Sequence, residues 1–349
     1  MPSAERIKRL RESLNGETAV IYTPISRFYL TGFEAEDGVL IVTPDKALLA
    51  MDSRYIEAAQ RADTGCEVLP FNKDFFEAAG VLDAAVETAV TFDEFAYLKR
   101  LMPKAALSPS KRLSDSIRDM RAVKDADELE LMKTAQEITD AAFTHILGFI
   151  REGVTEREIA LELEFFMRRQ GADGVAFETI ALSGKNGSMP HGVPSDKPVA
   201  KGELITMDFG AKYKGYCSDM TRTVSLGQPD SLSAEIYSTV LTAHKAALET
   251  VCAGTACSVA DAAARDVIAS RGYGENFGHA TGHGVGVEIH EEPRLSPTCT
   301  RQLLAGNVVT VEPGVYLPSK AGVRIEDTVV VTDSGCISLA HSEKELIKL

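Results

Sequence analysis

A short stretch rich in histidine and glycine, Gly278 to Glu291, constrains this chain more than any other part of its sequence. Three of the seven histidines in 349 residues, His279, His283 and His290, fall within it. Glycines stand at positions 278, 282, 284 and 286, and they let the backbone approach another group closely or adopt positive φ. The stretch is therefore either a glycine-rich turn with incidental histidines or part of a site.

Composition excludes several classes of protein. The formal net charge of −14 argues against a nucleic-acid-binding surface. The apolar runs are shorter than the roughly 20 residues that a membrane helix needs, and the charged N-terminus lacks the apolar core of a signal peptide. Six cysteines without CxxC spacing suit reduced thiols. We expect a cytoplasmic protein that binds neither nucleic acid nor a membrane.

The first third of the sequence alternates between helical and strand-like segments. This alternation predicts a small α/β domain with a mixed sheet, and the segment 103–109, bounded by two prolines, reads as a linker. We therefore expect domains at residues 1–112 and 113–349. The predicted helices of the first domain are 5–14, 55–62 and 75–86, and its predicted strands are 18–22, 27–30, 39–43, 47–51, 67–71 and 89–92.

The second part has long helices between groups of strands. Thr155 and Glu158 form a capping-box pattern before one of these helices. Pairs of helices alternating with hairpins predict an α+β domain with helices against an antiparallel sheet. The predicted helices are 125–150, 155–169, 231–251 and 259–270, and the predicted strands are 177–182, 204–209, 216–224, 308–312, 315–317 and 323–332.

Two aspartates flank a turn in this second part. Asp208 lies in an apolar strand, Asp219 lies in the next one, and Gly215 suits the turn between them. A hairpin closing midway would put the two carboxylates opposite each other, with Cβ atoms ~5 Å apart. Like charges at that distance are destabilising unless they are protonated or bridged by a cation. The pair therefore predicts a metal site, unless both aspartates face solvent.

A second hairpin repeats the pattern with glutamates. Glu312 and Glu326 are equally distant from Ser319, which lies in a turn-like segment. Pro313 and Gly314 lead us to expect a bulge here. Four carboxylates and one imidazole suit a pair of divalent cations such as Mn²⁺, Co²⁺, Zn²⁺ or Fe²⁺. Two such ions about 3.5–4 Å apart can share a water and lower its pKa, which generates a hydroxide nucleophile for a carbonyl.

The ordered set of these residues resembles the pita-bread metallopeptidases, in the branch of Xaa-Pro aminopeptidases and Xaa-Pro dipeptidases (prolidases). The stretch from His279 to Glu291 is similar to the proline-peptidase signature, although Ala280 stands where the family more often has glycine. The segment Ser183–His191 resembles the family's substrate-histidine segment. Segments 27–33, 52–55 and 121–124 look like its N-terminal domain and linker. The resemblance implies a creatinase/prolidase-like N-terminal domain followed by a pita-bread catalytic domain.

The resemblance also implies how the metal ions are held. Asp208 would bind one ion, Asp219 and Glu326 would bridge both, and His283 and Glu312 would bind the second. The cofactor is expected to be two divalent ions, with Mn²⁺ preferred and Co²⁺, Zn²⁺ or Fe²⁺ as alternatives.

Other residues are implied in catalysis and substrate binding. Glu312 would also take a proton from the water between the metals. His279 and His290 would contact the substrate or the tetrahedral intermediate, where imidazoles stabilise oxyanion charge. His191 and Arg324 would shape the proline site. The partner is then a proline-containing peptide.

The preferred function is that of an Xaa-Pro aminopeptidase, which cleaves after an N-terminal residue that precedes proline. An Xaa-Pro dipeptidase is the main alternative. A methionine aminopeptidase is disfavoured by the N-terminal domain and by His191, and both a metal-free creatinase-like hydrolase and an inactive binding module are disfavoured by the complete ligand set.

The resemblance and the strand pattern make three further predictions. A homodimer is expected, with Asp52 and Arg54 either at its interface or in a local salt bridge. Asp327 should point away from the ligands and form hydrogen bonds. The remaining histidines should be structural, namely His145, His244 and His341.

Overall fold

The computed structural model describes residues 1–349, which divide into two compact units, Met1–Arg121 and Ala122–Leu349. The boundary predicted at residues 112 and 113 lies near the start of helix α6, Lys111–Ala122. Leu113 and Ile117 of this helix are buried in the core of the first unit. The first unit therefore continues to the end of α6.

The first unit is built on a six-stranded mixed sheet with strand order β4-β3-β2-β1-β5-β6. Strand β1 pairs antiparallel with β2 and parallel with β5, which confirms the predicted mixed sheet. The strands are β1 Ala19–Ile21, β2 Val39–Val42, β3 Ala47–Met51, β4 Glu67–Pro70, β5 Asp83–Glu87 and β6 Ala106–Ser110. The helices before α6 are α1 Ser3–Leu14, α2 Pro24–Thr31, α3 Ile56–Arg61, α4 Lys73–Ala79 and α5 Phe92–Leu101.

The strand predicted at residues 27–30 is wrong, because these residues lie in helix α2. Pro24 occupies the first turn of this helix, where its missing N–H is not needed and its fixed φ suits the helix. Arg27 then points into the unit, where its Nη2 donates to the carbonyl oxygens of Ala35 at 2.9 Å and Glu36 at 2.7 Å.

In the second unit every pairing between strands is antiparallel. The ladders are β12-β9-β8, β11-β10-β7, β14-β13-β15-β18-β19 and β16-β17. The helices are α7 Ala126–Leu147, α8 Glu156–Arg169, α9 Ser231–Thr250 and α10 Cys257–Ser270. The strands are β7 Gly174–Val175, β8 Ile180–Ser183, β9 Leu204–Phe209, β10 Ala211–Tyr213, β11 Tyr216–Cys217, β12 Met220–Ser225, β13 Gly282–Gly284, β14 Glu291–Leu295, β15 Val308–Val311, β16 Gly314–Leu317, β17 Ala321–Arg324, β18 Asp327–Thr332 and β19 Gly335–Ser338.

Each pair of helices packs on its own strands. The pair α7 and α8 shares a buried apolar cluster with β9 and β12, and α9 and α10 share another with the strands from β15 to β18. The predicted capping box of Thr155 and Glu158 is present at α8, where such a cap contributes ~1 kcal/mol. The predicted α+β architecture is confirmed. None of the helices is long and apolar enough to cross a membrane.

Candidate metal centre and active site

The first carboxylate hairpin closes one residue later than the sequence suggested. Lys214 and Gly215 form a two-residue turn with φ of 46° and 83°, which suits a type I′ hairpin. Asp208 therefore pairs with Thr221, and the prediction that it pairs directly with Asp219 is wrong by two residues. A shift of two keeps side chains on the same face of a ladder, so both aspartates still face one site.

The second carboxylate hairpin has the predicted register. Glu312 and Glu326 stand opposite each other in a short break between the β15–β18 ladder and the β16–β17 ladder, which have the same register. Ser319 lies in the turn and has a positive φ. The predicted bulge at Pro313 is absent, because both strands are interrupted by the same number of residues. The flanking pairs are Val311 with Asp327 and Gly314 with Arg324.

This break frees two backbone N–H groups for other strands. The N–H of Glu312 donates to the carbonyl oxygen of Thr281 at 2.7 Å, and that of Glu326 donates to the carbonyl oxygen of Thr221 at 3.1 Å. Gly282, next to Thr281, lies so close to β15 that a Cβ there would overlap the Thr310 carbonyl. These contacts join the histidine stretch and both hairpins.

The predicted metal ligands converge at this junction. Ligand atoms of Asp219, His283 and Glu326 all lie within 4.8 Å of one another. His283 Nε2 is 3.5 Å from Asp219 Oδ2 and 3.4 Å from Glu312 Oε1. Asp219 and Glu326 lie deepest, with 4% and 1% of their surface exposed.

The carboxylates of this cluster repel one another. Burial, and then the charges of neighbouring carboxylates, raise the pKa of Asp219 and of Glu326 well above the usual values. Burial raises the pKa of Glu312 to about 8, although Arg324 opposes the shift. The cluster must therefore bind protons or be neutralised by cations.

His283 presents a free electron pair to these carboxylates. Its Nδ1–H donates to the Gly284 carbonyl oxygen at 3.0 Å, which leaves Nε2 unprotonated. Burial lowers the pKa of His283 to about 4, so the imidazole is neutral at ordinary pH. A neutral ring oriented by its other nitrogen is the usual form of a histidine metal ligand.

The donor set fits divalent cations. Asp208 Oδ1 is buried without a hydrogen-bond partner, which is costly unless another group neutralises it. Carboxylate oxygens with one imidazole nitrogen are the ligands of hard and borderline divalent metals. The predicted ligand residues therefore suit the metal ions that the sequence implies.

Arg324 connects the cluster to His279 through a tyrosine that the sequence analysis missed. Arg324 is 3% exposed and donates to Asp208 Oδ2 at 2.5 Å and to the Tyr316 hydroxyl oxygen at 2.8 Å. His279 donates from Nδ1 to the Ala280 carbonyl, so its Nε2 accepts from the Tyr316 hydroxyl at 2.9 Å. Burial raises the pKa of Tyr316 to about 12, which keeps this hydroxyl protonated.

A cavity of about 560 Å³ opens above the cluster. All four predicted substrate residues line it, namely His191, His279, His290 and Arg324. Apolar side chains line it as well, among them Phe177, Ile180, Val193 and Ile289.

Arg294 also lines this cavity, and the sequence analysis did not single it out. It is exposed on β14, and its guanidinium forms no hydrogen bond or ion pair within the chain. It is near enough to lower the pKa of His290, after the larger effect of burial. A lone arginine in a strand carries no sequence signal of its own, so only the structure reveals it.

Other predicted residues lie away from the cavity. Asp52 and Arg54 form a local ion pair, with Arg54 Nε 2.9 Å from Asp52 Oδ2. Asp327 is fully buried; its Oδ1 accepts a hydrogen bond from Arg222 at 2.8 Å, in keeping with its predicted hydrogen-bonding role, and its Oδ2 forms an ion pair with Lys344 at 2.9 Å.

Comparison with known proteins assigns the chain to a family. Residues 130–333 match the profile of metallopeptidase family M24, and residues 6–123 match that of the creatinase/prolidase N-terminal domain. An Xaa-Pro dipeptidase from Pyrococcus horikoshii is 37% identical over 98% of this chain and 99% of its own length.

Solved structures agree with this match. The Xaa-Pro dipeptidase from Bacillus anthracis is 39% identical with a TM-score of 0.95, covering 99% of this chain and 100% of that one. The X-Pro aminopeptidase from Thermotoga maritima MSB8 is 36% identical with a TM-score of 0.90, covering 98% and 100%. The chain therefore has the pita-bread fold and belongs to metallopeptidase family M24, as a metallo-exopeptidase with a creatinase/prolidase N-terminal domain.

Proposed function

We propose that this protein is an Xaa-Pro dipeptidase that uses two divalent cations, with Mn²⁺ as the preferred ion. The observation that carries the proposal is the buried cluster of carboxylates around the neutral His283, at the base of a cavity that also exposes Arg294. The ions would be held by Asp208, Asp219, His283, Glu312 and Glu326, in the arrangement that the family resemblance implies. Once bound, they would supply Lewis-acid activation of the scissile carbonyl and of water.

The chain's own residues position the peptide and move the proton. The carboxylate of Glu312 faces both the cluster and the cavity, so it can accept a proton during attack and return it to the leaving nitrogen. His290 lines the cavity beside His283, where its imidazole can donate to the carbonyl oxygen as charge develops. His279 is oriented by Tyr316 and lies beside the same space. His191 stands at the exposed side of the cavity, where proline would be enclosed.

The choice of dipeptidase over aminopeptidase rests on charge. A dipeptide ends in a free carboxylate directly after proline, and Arg294 offers a cation without a partner in the chain. The names of the P. horikoshii and B. anthracis relatives also favour a dipeptidase, so the preference for an aminopeptidase gives way to the alternative. The T. maritima relative, named as an X-Pro aminopeptidase, keeps that activity as the second candidate. The homodimer stays a prediction.

The test compares substrates with and without a free carboxylate after proline. We expect an Xaa-Pro dipeptide to be hydrolysed much faster than its amide and than Xaa-Pro-Yaa tripeptides. Arg294→Gln should raise KM for the dipeptide about 10- to 100-fold, because a charge-assisted contact is lost, and should leave the amide unaffected. Arg271→Gln, an exposed arginine on the same unit, is the matched control. Equal rates on dipeptides and longer peptides would identify an aminopeptidase instead.

A further inference from the structure

The chain around His290 is built on a buried carboxylate that the proposed mechanism does not use. Glu291 follows His290, and its side chain is only 3% exposed. Its Oε1 accepts the backbone N–H of Glu288 at 3.1 Å. Gly286 lies so close that a Cβ there would be 2.6 Å from Oε2. The turn from Gly286 to Glu291 therefore wraps around this carboxylate.

Lys124 supplies the opposite charge. Its Nζ lies 3.0 Å from Glu291 Oε2, and its side chain is 1% exposed. An ion pair buried this deeply has given up its hydration, so it persists only while both charges are present and close together. The position of the Glu291 carboxylate is thus tied to the position of the Lys124 ammonium.

Lys124 is in turn fixed beside the strand that leads to Glu312. Its backbone N–H donates to the Gly306 carbonyl oxygen at 2.8 Å. Val123 forms a β-bridge with Asn307, whose side-chain amide donates to the Ala122 carbonyl oxygen at 2.8 Å. Strand β15 begins at the next residue and ends immediately before Glu312.

The ion pair therefore links the turn that carries His290 to the strand that leads to the predicted metal ligand Glu312. Glu291 is buried at the first residue of β14, whereas His290, the residue before it, lines the cavity. The rings of His290 and His283 are 4.4 Å apart at an interplanar angle of 69°. We infer that Lys124 is a positioning residue whose ion pair with Glu291 holds His290 in register with the metal ligands. This inference rests on the role of His290 in the proposed function.

The test removes both charges together, so that neither is left buried alone. In Lys124→Met/Glu291→Gln we expect kcat on an Xaa-Pro dipeptide to fall about tenfold or more, because a small displacement of a reacting group is enough for such a loss. KM and bound metal should change little. Lys124→Arg, which keeps the charge, should retain most of the activity. Lys133→Met removes an exposed lysine on α7 and should have no effect.

A double-mutant cycle with His290→Ala shows whether Lys124 acts through His290. If it does, the charge-pair change should lower kcat by less than about twofold in the His290→Ala background, because the group it positions is gone. Equal losses in both backgrounds, or a loss of thermal stability with kcat unchanged, would overturn the inference on Lys124. Full activity of His290→Ala itself would overturn it too, and with it the proposed role of His290.

Discussion

The three histidines of the glycine-rich stretch differ in what their second ring nitrogen contacts. His283 turns an unprotonated Nε2 toward carboxylates, His279 accepts a bond from Tyr316, and His290 faces the cavity. Only the first of these is arranged as a metal ligand. Sequence spacing alone does not separate the three, because the distinction depends on what the fold places opposite each ring, namely carboxylates, a tyrosine hydroxyl or the open cavity.

His283→Ala should therefore weaken metal binding, while His290→Ala should not. We expect the affinity for Mn²⁺ to fall at least about tenfold in the first variant, because a ligand and its oriented lone pair are removed together. Metal analysis after gel filtration and calorimetric titration with Mn²⁺ measure this. Loss of both ions from His290→Ala would mean that the roles of these histidines are assigned wrongly.

Tyr316→Phe should disturb two buried groups at once. Arg324 loses an acceptor and His279 loses the donor that fixes its ring, so we expect a stability loss of about 1–3 kcal/mol and a lower kcat. Urea denaturation and steady-state kinetics measure the two effects. Tyr213→Phe is the control, since that hydroxyl forms no hydrogen bond. Unchanged stability and kcat in Tyr316→Phe would show that the link is dispensable.

At the scale of elements, the two hairpins explain why one register could be predicted and the other could not. The second turn is symmetric about Ser319, so counting residues was enough. In the first hairpin, the sequence does not show whether Tyr213 belongs to the strand or to the turn. Lys214 and Gly215, which both have positive φ, form the turn, so the turn lies one residue later than predicted. The strand predicted at 27–30 failed for a related reason, since its apolar and aromatic residues suit a buried helix equally well.

Helix α8 anchors the segment that carries His191. Its first residue, Glu156, is completely buried and accepts hydrogen bonds from Ser183, Asn186 and Ser195. These residues lie on both sides of His191 in the chain, so one carboxylate fixes both ends of this part of the cavity wall.

Glu156→Ala should consequently raise KM and leave the metal content nearly unchanged, because the cavity wall loosens while the predicted ligands stay in place. We expect several kcal/mol of destabilisation, since buried donors are left without acceptors. Glu164→Ala, on the same helix and without a hydrogen bond or ion pair, is the control. Kinetics, metal analysis and thermal melting separate the effects, and an unchanged KM would contradict this account.

At the scale of the whole molecule, the cluster makes stability depend on pH when metal is removed. Burial lowers the pKa of His244, His279 and His283 from 6.5 to about 4, so their contribution to stability rises with pH up to 6.5 and is constant above it. The pKa of Glu312 is raised from 4.5 to about 8. Between pH 4.5 and about pH 8, Glu312 holds a proton in the folded state that it has released in the unfolded state. The free energy of unfolding therefore falls as the pH rises through this range.

The metal-free protein should therefore lose stability between pH 6.5 and 8, by up to about 1.4 kcal/mol per pH unit for each such proton. Bound cations should abolish this slope, because they replace the proton. Thermal denaturation in chelator and in Mn²⁺ across this range measures both. A chelated protein as stable at pH 8 as at pH 6.5 would contradict the prediction.

The sequence was sufficient for the fold class and the family, because these depend on local motifs in a fixed order. Substrate length was not predictable in the same way. In the proposed function it depends on Arg294 and on the cavity walls, which are brought together by segments that carry no motif.

The cavity has a floor and a wall that are held by separate hydrogen bonds. The floor is fixed by the hairpins, whereas Val193 on the wall is 81% exposed and belongs to the segment tied to Glu156. Selection can therefore act on Val193 without disturbing the ligands, whereas Ile180 pairs directly with Asp208 in the β8–β9 ladder. A protein engineer seeking new peptide substrates should randomise Val193 and leave the floor unchanged.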